Sequence, residues 1–321
     1  MESGPIVTVV HSDQLPDPAL MAPVSARATV RYTDSAGLVS ALRGADVLFV
    51  YDFQTRAVPD AWPAADRLSW LHIGATGVDT VMFPELRDSD VVVTNTRGVF
   101  DTAIAEYVLG QILDFAKDLT GSTRLQQQEI WRHRESERVA GSTALIVGTG
   151  SIGRTIAGLL RAAGMRIRAV GRRACTDDPD FGTVATDLYA ELPGADYVIA
   201  IAPLTDRTRH MFDGRAFGAM KPHARFVNVG RGELVVTEDL VTALESGAIA
   251  GAALDVVDPE PLPPGHSLWQ LPNAHITPHN SGDFVGWRDD IVTTFTANFD
   301  RWLAGRPLDN VVDKTLGYVP G

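Results

Sequence analysis

Three glycines stand at a spacing that suits phosphate binding. Gly148, Gly150 and Gly153 form a G-x-G-x-x-G pattern. It directly follows the short apolar run of residues 144–147 and precedes residues 154–163, where Ile156, Leu159 and Leu160 recur at helical spacing. A buried strand, a tight turn and a helix are the setting in which this otherwise weak pattern becomes a dinucleotide fingerprint. Gly148 allows the turn, Gly150 lets backbone approach a pyrophosphate, and Gly153 lets the helix pack on the strand. The free amides at the helix start, Ser151 and Ile152 among them, together with the helix dipole, favour the negative phosphates.

Three further stretches each place a charged or titratable residue just beyond an apolar run: Arg231 in Val229-Gly230-Arg231-Gly232, Glu260 in Asp258-Pro259-Glu260-Pro261, and His279 in Thr277-Pro278-His279-Asn280. In an open parallel sheet the carboxyl ends of strands are where ligands bind. Singly, each stretch has an ordinary structural explanation: a solvated turn arginine, a proline loop, a capping or core histidine. The strand after the fingerprint helix, residues 166–170, ends in Gly171-Arg172-Arg173, with no carboxylate to take ribose hydroxyls. Asp177 and Asp178 lie further along what reads as a loop. Two guanidiniums at that position suit a 2′-phosphate, so NADPH is expected as the preferred cofactor and NADH as the alternative.

These residues need a framework of strands to hold them. Apolar runs at residues 5–10, 28–32, 45–51, 68–73 and 91–94 alternate with a helix at 35–42, and a proline-rich loop is expected through Pro23. Such alternation predicts a parallel α/β layer. A long helix over residues 101–118 follows, then a polar, basic stretch at 125–138 with Trp131 embedded. A second strand series occupies residues 144–147, 166–170, 197–202, 224–229, 249–255 and 275–277, and a helix over 283–303 closes the chain. The expected fold is therefore α/β: two doubly wound parallel-sheet domains, a flavodoxin-like substrate domain and a Rossmann dinucleotide-binding domain. Residues 1–99 plus 285–321 are assigned to the first and 100–284 to the second, with cofactor and substrate expected in the cleft between them.

The chain's 321 residues are ample for two cores. A net charge of −12 argues against a nucleic-acid surface. Cys175 is the single cysteine, so no intrachain disulfide can form. The N-terminus lacks a signal-peptide pattern, and no apolar run is long enough for a membrane span. A cytoplasmic protein without membrane or nucleic-acid partners is expected, and no metal.

Taken together, these motifs resemble the D-isomer-specific 2-hydroxyacid dehydrogenase family over essentially the whole chain. Residues 202–211, Thr94-Asn95-Thr96 and Gly77-Val78-Asp79 match that family's pattern as well. The resemblance implies a catalytic triad of Arg231, Glu260 and His279. It places Ala75, Thr76 and Gly77, with Arg231 and His279, around the substrate, and Pro203, Thr208 and Asp255 at the cofactor, Asp255 near the nicotinamide amide. It implies hydride transfer to a small 2-keto acid of the glyoxylate or hydroxypyruvate type, and a homodimer. The chemistry suits these residue types. Histidine can exchange a proton near neutral pH, a neighbouring carboxylate favours the imidazolium, and arginine holds a carboxylate while polarising a carbonyl. Formate dehydrogenases of the superfamily have glutamine where Glu260 stands, which favours a hydroxy-acid substrate here. Two other functions compete: a dinucleotide-sensing interaction protein like the family's corepressors, and an oxidative enzyme resembling D-3-phosphoglycerate dehydrogenase. His72, beside the 74–79 glycine loop, is a minor site candidate. Tyr51, Asp52, Phe53, Ala75, Thr76 and the Trp287 region are candidates for substrate specificity, with core packing the alternative for Tyr51 and Phe53. Trp131 is expected to pack in the core or on the surface, the alternative being an approach to the site from another subunit as in some relatives of the family it resembles.

Overall fold

The computed structural model describes residues 4–320. In chain order the elements are β1 (Ile6–Val10), α1 (Pro18–Ser25), β2 (Thr29–Thr33), α2 (Leu38–Leu42), β3 (Val47–Val50), α3 (Val58–Ala61), β4 (Trp70–Ile73), α4 (Pro84–Asp88) and β5 (Val92–Thr94). Then come α5 (Asp101–Lys117), α6 (Leu119–Gln127), β6 (Thr143–Val147), α7 (Ser151–Ala162), β7 (Arg166–Val170), β8 (Cys175–Asp178), β9 (Gly182–Ala185) and α8 (Leu188–Glu191). The chain continues with β10 (Tyr197–Ala200), α9 (Gly214–Ala219), β11 (Arg225–Asn228), α10 (Thr237–Ser246), β12 (Gly251–Leu254), β13 (Ala274–Ile276) and α11 (Trp287–Leu303).

Two compact units result. One runs to Phe100 and takes up the chain again from Phe284; the other is Asp101–Asp283. The first carries a five-stranded parallel sheet in the order β2-β1-β3-β4-β5. This is the flavodoxin-like winding, with its order reversing beside β1. Val47–Val50 and Trp70–Ile73 are buried on both faces, as continuous apolar strands of parallel sheets are. Fully burying one such side chain contributes roughly 1.5–3 kcal/mol. One face packs on α2 and α3 through Leu38, Leu42 and Val58; the other meets α11, where Phe295 stacks on Phe49 with ring centroids 4.1 Å apart.

The second unit carries the order β13-β12-β11-β10-β6-β7-β9-β8. All neighbours pair in parallel except β8 with β9. From β9 across β7, β6, β10, β11 and β12 this is the Rossmann winding, and it reverses between β6 and β10. Leu145, Val198, Phe212, Phe217 and Phe226 centre its core.

The structure corrects several local expectations. The loop expected through Pro23 ends at Asp17, and helix α1, which contains Pro23, takes over from Pro18. Asp17 accepts from the Ala19 amide at 2.6 Å, and Pro18 takes the first helical position, where its missing N–H costs nothing. Helix α2 begins three residues later than expected because the Asp34 carboxylate accepts from the Gly37 amide and forms a turn there. Helix α11 begins at Trp287, since Gly286 at φ 95° breaks the helix on its N-terminal side. The polar stretch after α5 begins as helix α6, capped by Asp118, with no buried residue to betray it in the sequence. Cys175, Asp177 and Asp178 are not in a loop but in β8, a polar edge strand whose side chains face mostly outward.

Candidate functional site

The glycine pattern occupies the reversal point of the second sheet, where β6 ends. A Cβ on Gly148, which sits at φ 125°, would lie 2.6 Å from the main chain of Ile201, just past β10. One on Gly153 would lie 2.1 Å from the Gly148 carbonyl oxygen. Both positions therefore exclude any side chain. Gly150 differs: a Cβ there would meet nothing within 4 Å. Gly150 is also the N-cap of α7 and supplies no side-chain capping bond, so the amides beginning at Ser151 and Ile152 are left for another acceptor. Close packing at two glycines and open space over the third fit a bound pyrophosphate. Beside this turn, the Thr208 hydroxyl donates to the Pro203 carbonyl at 2.6 Å and accepts from the Thr205 amide at 2.8 Å, fixing the loop after β10.

Arg172 and Arg173 follow the end of β7 and are exposed. Gly171 lets this turn close, since a Cβ there would come within 2.8 Å of the Thr149 hydroxyl. The carboxylates further on are engaged elsewhere. Arg154 reaches across to Asp178 at 2.8 Å and Asp180 at 2.6 Å. The Arg154 guanidinium beside it holds the Asp178 carboxyl down at about 2. The residues directly after β7, Gly171-Arg172-Arg173, include no acidic side chain.

The titratable residues converge in the same unit. His279 follows β13 and its backbone is left-handed, at φ 52°, a conformation histidine adopts more readily than most side chains. Its Nδ1 lies 3.1 Å from a Glu260 carboxylate oxygen, with about a third of the imidazole and two fifths of the carboxylate side chain exposed. An Nδ1 proton given to Glu260 leaves Nε2 available for a ligand. Thr237 anchors the acidic loop by donating to the Asp258 carbonyl at 2.8 Å.

Arg231 sits in the turn after β11. A Cβ on the next residue, Gly232, would come within 2.0 Å of the Val257 carbonyl, so glycine alone allows this turn to lie against the strand-end segment leading to Glu260. Buried Asn228 shapes the turn: its amide donates to the Arg231 carbonyl at 2.9 Å and its oxygen accepts from the Gly230 amide at 3.1 Å. Asp255 is buried, and its carboxylate accepts from the Thr277 hydroxyl and from the amides of Asn280 and Ser281.

In the other unit, Ala75, Thr76 and Gly77 follow β4. Buried Asn95 donates to the Thr76 carbonyl at 2.6 Å, and the Thr96 amide donates to the Ala75 carbonyl at 3.1 Å, so the strand end of β5 braces this loop. Asn95 and Asn228 are supports that apolar periodicity does not reveal. A polar residue at the end of an otherwise apolar strand was the available signal.

The minor candidates fall out differently. His72 is completely buried, and burial pushes its imidazole down to about 3. Tyr51 is buried against Phe49, and Phe53 packs on Trp287 with centroids 5.8 Å apart, so both serve the core of their unit. The Asp52 carboxylate turns back to the Gln54 amide. Trp131 is fully exposed, against the expectation that it would pack, because it lies in the irregular segment after α6. No described helix is long and apolar enough to cross a membrane.

Residues 109–281 match the family model described as D-isomer specific 2-hydroxyacid dehydrogenase, NAD binding domain. The chain belongs to this family. It is an NAD(P)-dependent oxidoreductase of the D-2-hydroxyacid dehydrogenase class. A glyoxylate reductase of Aeropyrum pernix is 34% identical over 87% of this chain and 86% of its own. Among solved structures, a D-isomer specific 2-hydroxyacid dehydrogenase family protein from Aeromonas salmonicida superposes with a TM-score of 0.82 at 30% identity, covering 97% of this chain and 100% of that one. An NADPH-dependent glyoxylate/hydroxypyruvate reductase from Sinorhizobium meliloti, solved with NADP and sulfate, gives 0.83 at 27% identity, covering 98% and 100%.

Proposed function

We propose that this dehydrogenase reduces a small 2-keto acid of the glyoxylate or hydroxypyruvate type to the D-2-hydroxy acid, with NADPH in preference to NADH. The observation that carries the reading is the His279–Glu260 pair at 3.1 Å, half-exposed at the carboxyl end of a sheet that also carries the glycine turn. The reduced nicotinamide, when bound, supplies a hydride to the keto carbon. His279 gives the proton from Nε2 to the carbonyl oxygen as that oxygen gains charge. Glu260 accepts from Nδ1, fixing the ring's orientation and leaving Nε2 for the substrate. Arg231 holds the substrate carboxylate and draws charge toward the carbonyl oxygen. By family resemblance the amides of Thr76 and Gly77 also serve the carboxylate, and Asp255 the nicotinamide amide.

The preference for NADPH rests on Arg172 and Arg173 at the end of β7, with Asp178 already held by Arg154. The relatives named as glyoxylate reductases, one of them solved with NADP, support the same reading. We also propose a homodimer; the exposed Ile130 and Trp131 give apolar surface for it, and light scattering measures it. The test of function follows loss of the reduced-nicotinamide absorption with a panel of 2-keto acids, NADPH and NADH in parallel. Turnover of glyoxylate or hydroxypyruvate with NADPH that His279→Ala abolishes is the expected result. A clear advantage for NADH overturns the role given to Arg172 and Arg173, and turnover retained by His279→Ala overturns the mechanism.

A further inference from the structure

The His279 turn is tied to buried Asp255 through both its main chain and its carboxylate. The main-chain carbonyl of Asp255 accepts from the His279 amide at 2.8 Å. One carboxylate oxygen accepts from the Asn280 amide at 3.0 Å and from the Thr277 hydroxyl at 2.6 Å; the other accepts from the Ser281 amide at 3.0 Å. The residues on both sides of His279 are therefore tied to Asp255, and this offsets the cost of holding a non-glycine residue at positive φ.

The chain of hydrogen bonds continues outward. Thr277 gives its single proton to Asp255, so the Tyr107 hydroxyl, 2.7 Å away, must donate to the Thr277 oxygen. Burial pushes the Tyr107 phenol up to about 12, further above neutral pH than the ordinary phenol, which is itself protonated there. One helical turn further along α5, the Gln111 side-chain oxygen lies 3.2 Å from Nδ1 of His275. Residues four apart on a helix advance about 6 Å, and residues two apart on a strand about 6.6 Å. Tyr107 and Gln111 on α5 therefore match Thr277 and His275 on and just past β13, rung for rung. The edge strand is held in register by side chains from the helix, and its end leads straight into His279.

We propose that Tyr107 and Thr277 are positioning residues of the reaction, holding the His279 imidazole through Asp255. This rests on His279 being the proton donor proposed above. Neither residue touches substrate. Their role is to fix where Nε2 points, and misplacing a reacting group by about 1 Å can cost as much as 10²-fold in rate.

The experiment compares Thr277→Val, which removes the hydroxyl at similar size, with Thr277→Ser, which keeps it, and with Tyr107→Phe, all in the full chain. His279→Ala is run in parallel. The readouts are kcat and KM for glyoxylate, NADPH affinity by fluorescence, the thermal midpoint, and the His279 imidazole nitrogen resonances in the nucleotide-free protein. Thr277→Val is expected to lower kcat roughly tenfold, Tyr107→Phe about threefold, and Thr277→Ser by no more than about twofold. NADPH affinity should stay within about twofold throughout. The His279 resonances should move in Thr277→Val and return in Thr277→Ser. Folded Thr277→Val with wild-type kcat and unmoved resonances overturns the proposal, as does an equal loss in the valine and serine variants. So does a loss of NADPH affinity that matches the loss of kcat. If glyoxylate is not turned over, the resonances decide alone. Full turnover by His279→Ala would sink the reading of His279 itself, whereas a dead His279→Ala beside a silent Thr277→Val would remove only the positioning role.

Discussion

His72 and His279 are the same side chain, one inside a parallel strand and one just past the end of another, and the fold places them oppositely. His72 lies inside β4, paired on one side with Phe49 of β3 and on the other with Thr94 of β5. Its ring is packed among Phe49, Trp70 and Phe295, its Nδ1 meets the Thr94 hydroxyl at 2.8 Å, and its Nε2 has no hydrogen-bond partner. Such a site admits only the neutral ring. His279 stands just past the end of an edge strand, beside Glu260 and open to solvent. A histidine in or near a strand end is thus sealed in the core or left open to a ligand according to whether the next layer covers it.

Four substitutions or conditions would break or sharpen this contrast. The largest effect is expected from His279→Ala, which should lower kcat about 10²–10⁴-fold while leaving the unfolding midpoint in place; steady-state kinetics beside a thermal melt measures both. His72→Ala should do the reverse. Emptying a site among stacked rings costs roughly 3–5 kcal/mol, and denaturant unfolding should show that loss while the folded fraction keeps its kcat. If His72→Ala instead lowered kcat without lowering stability, the distinction between the two histidines would fail.

Acid should act through His72 as well. Its folded-state value, about 3, lies below the ordinary 6.5, so the unfolded chain takes up the proton first. The stability that depends on neutral His72 is complete above pH 6.5 and is lost as pH falls toward 3. The slope is about 1.4 kcal/mol per pH unit at most. Urea midpoints measured across that range should fall less steeply in His72→Phe than in the parent protein. Equal slopes would show that His72 does not contribute. The smallest expected effect is that of Glu260→Gln. Glutamine still offers Nδ1 an acceptor but puts no negative charge beside the ring that gives up its proton, so kcat should drop roughly tenfold with NADPH affinity unchanged. Unchanged kcat would leave Glu260 without a role in proton transfer.

How legible each region was depends on what kind of force holds it. The buried strands announced themselves, because Val47–Val50, Trp70–Ile73 and Thr143–Val147 bury both faces and so must be nearly continuous in apolar residues. The β8–β9 hairpin was invisible: β8 is polar, exposed and at the edge, and its pairing is made by backbone. Helix α1 was hidden by its own prolines, one of which serves as the first helical residue. In the candidate site, the glycine turn and the short-range Asn228 turn are local, but Asn95, Tyr107 and Thr277 act on residues remote in sequence, and nothing in their immediate neighbours points to those partners.

By itself the amino-acid sequence determined the alternation of strand and helix, the phosphate-binding turn, and the residue types able to exchange a proton and hold a carboxylate. These follow from periodicity, from glycine's lack of a side chain and from the chemistry of each functional group, all of which are local. Only the tertiary structure decided which groups share a space. It brought Glu260 to His279 across 19 positions of chain, gave Asp178 to Arg154, tied the His279 turn to Asp255 and sealed His72 from water. The reason is that proximity and desolvation are set by how strands stack into sheets and what covers them, and those are properties of the whole fold.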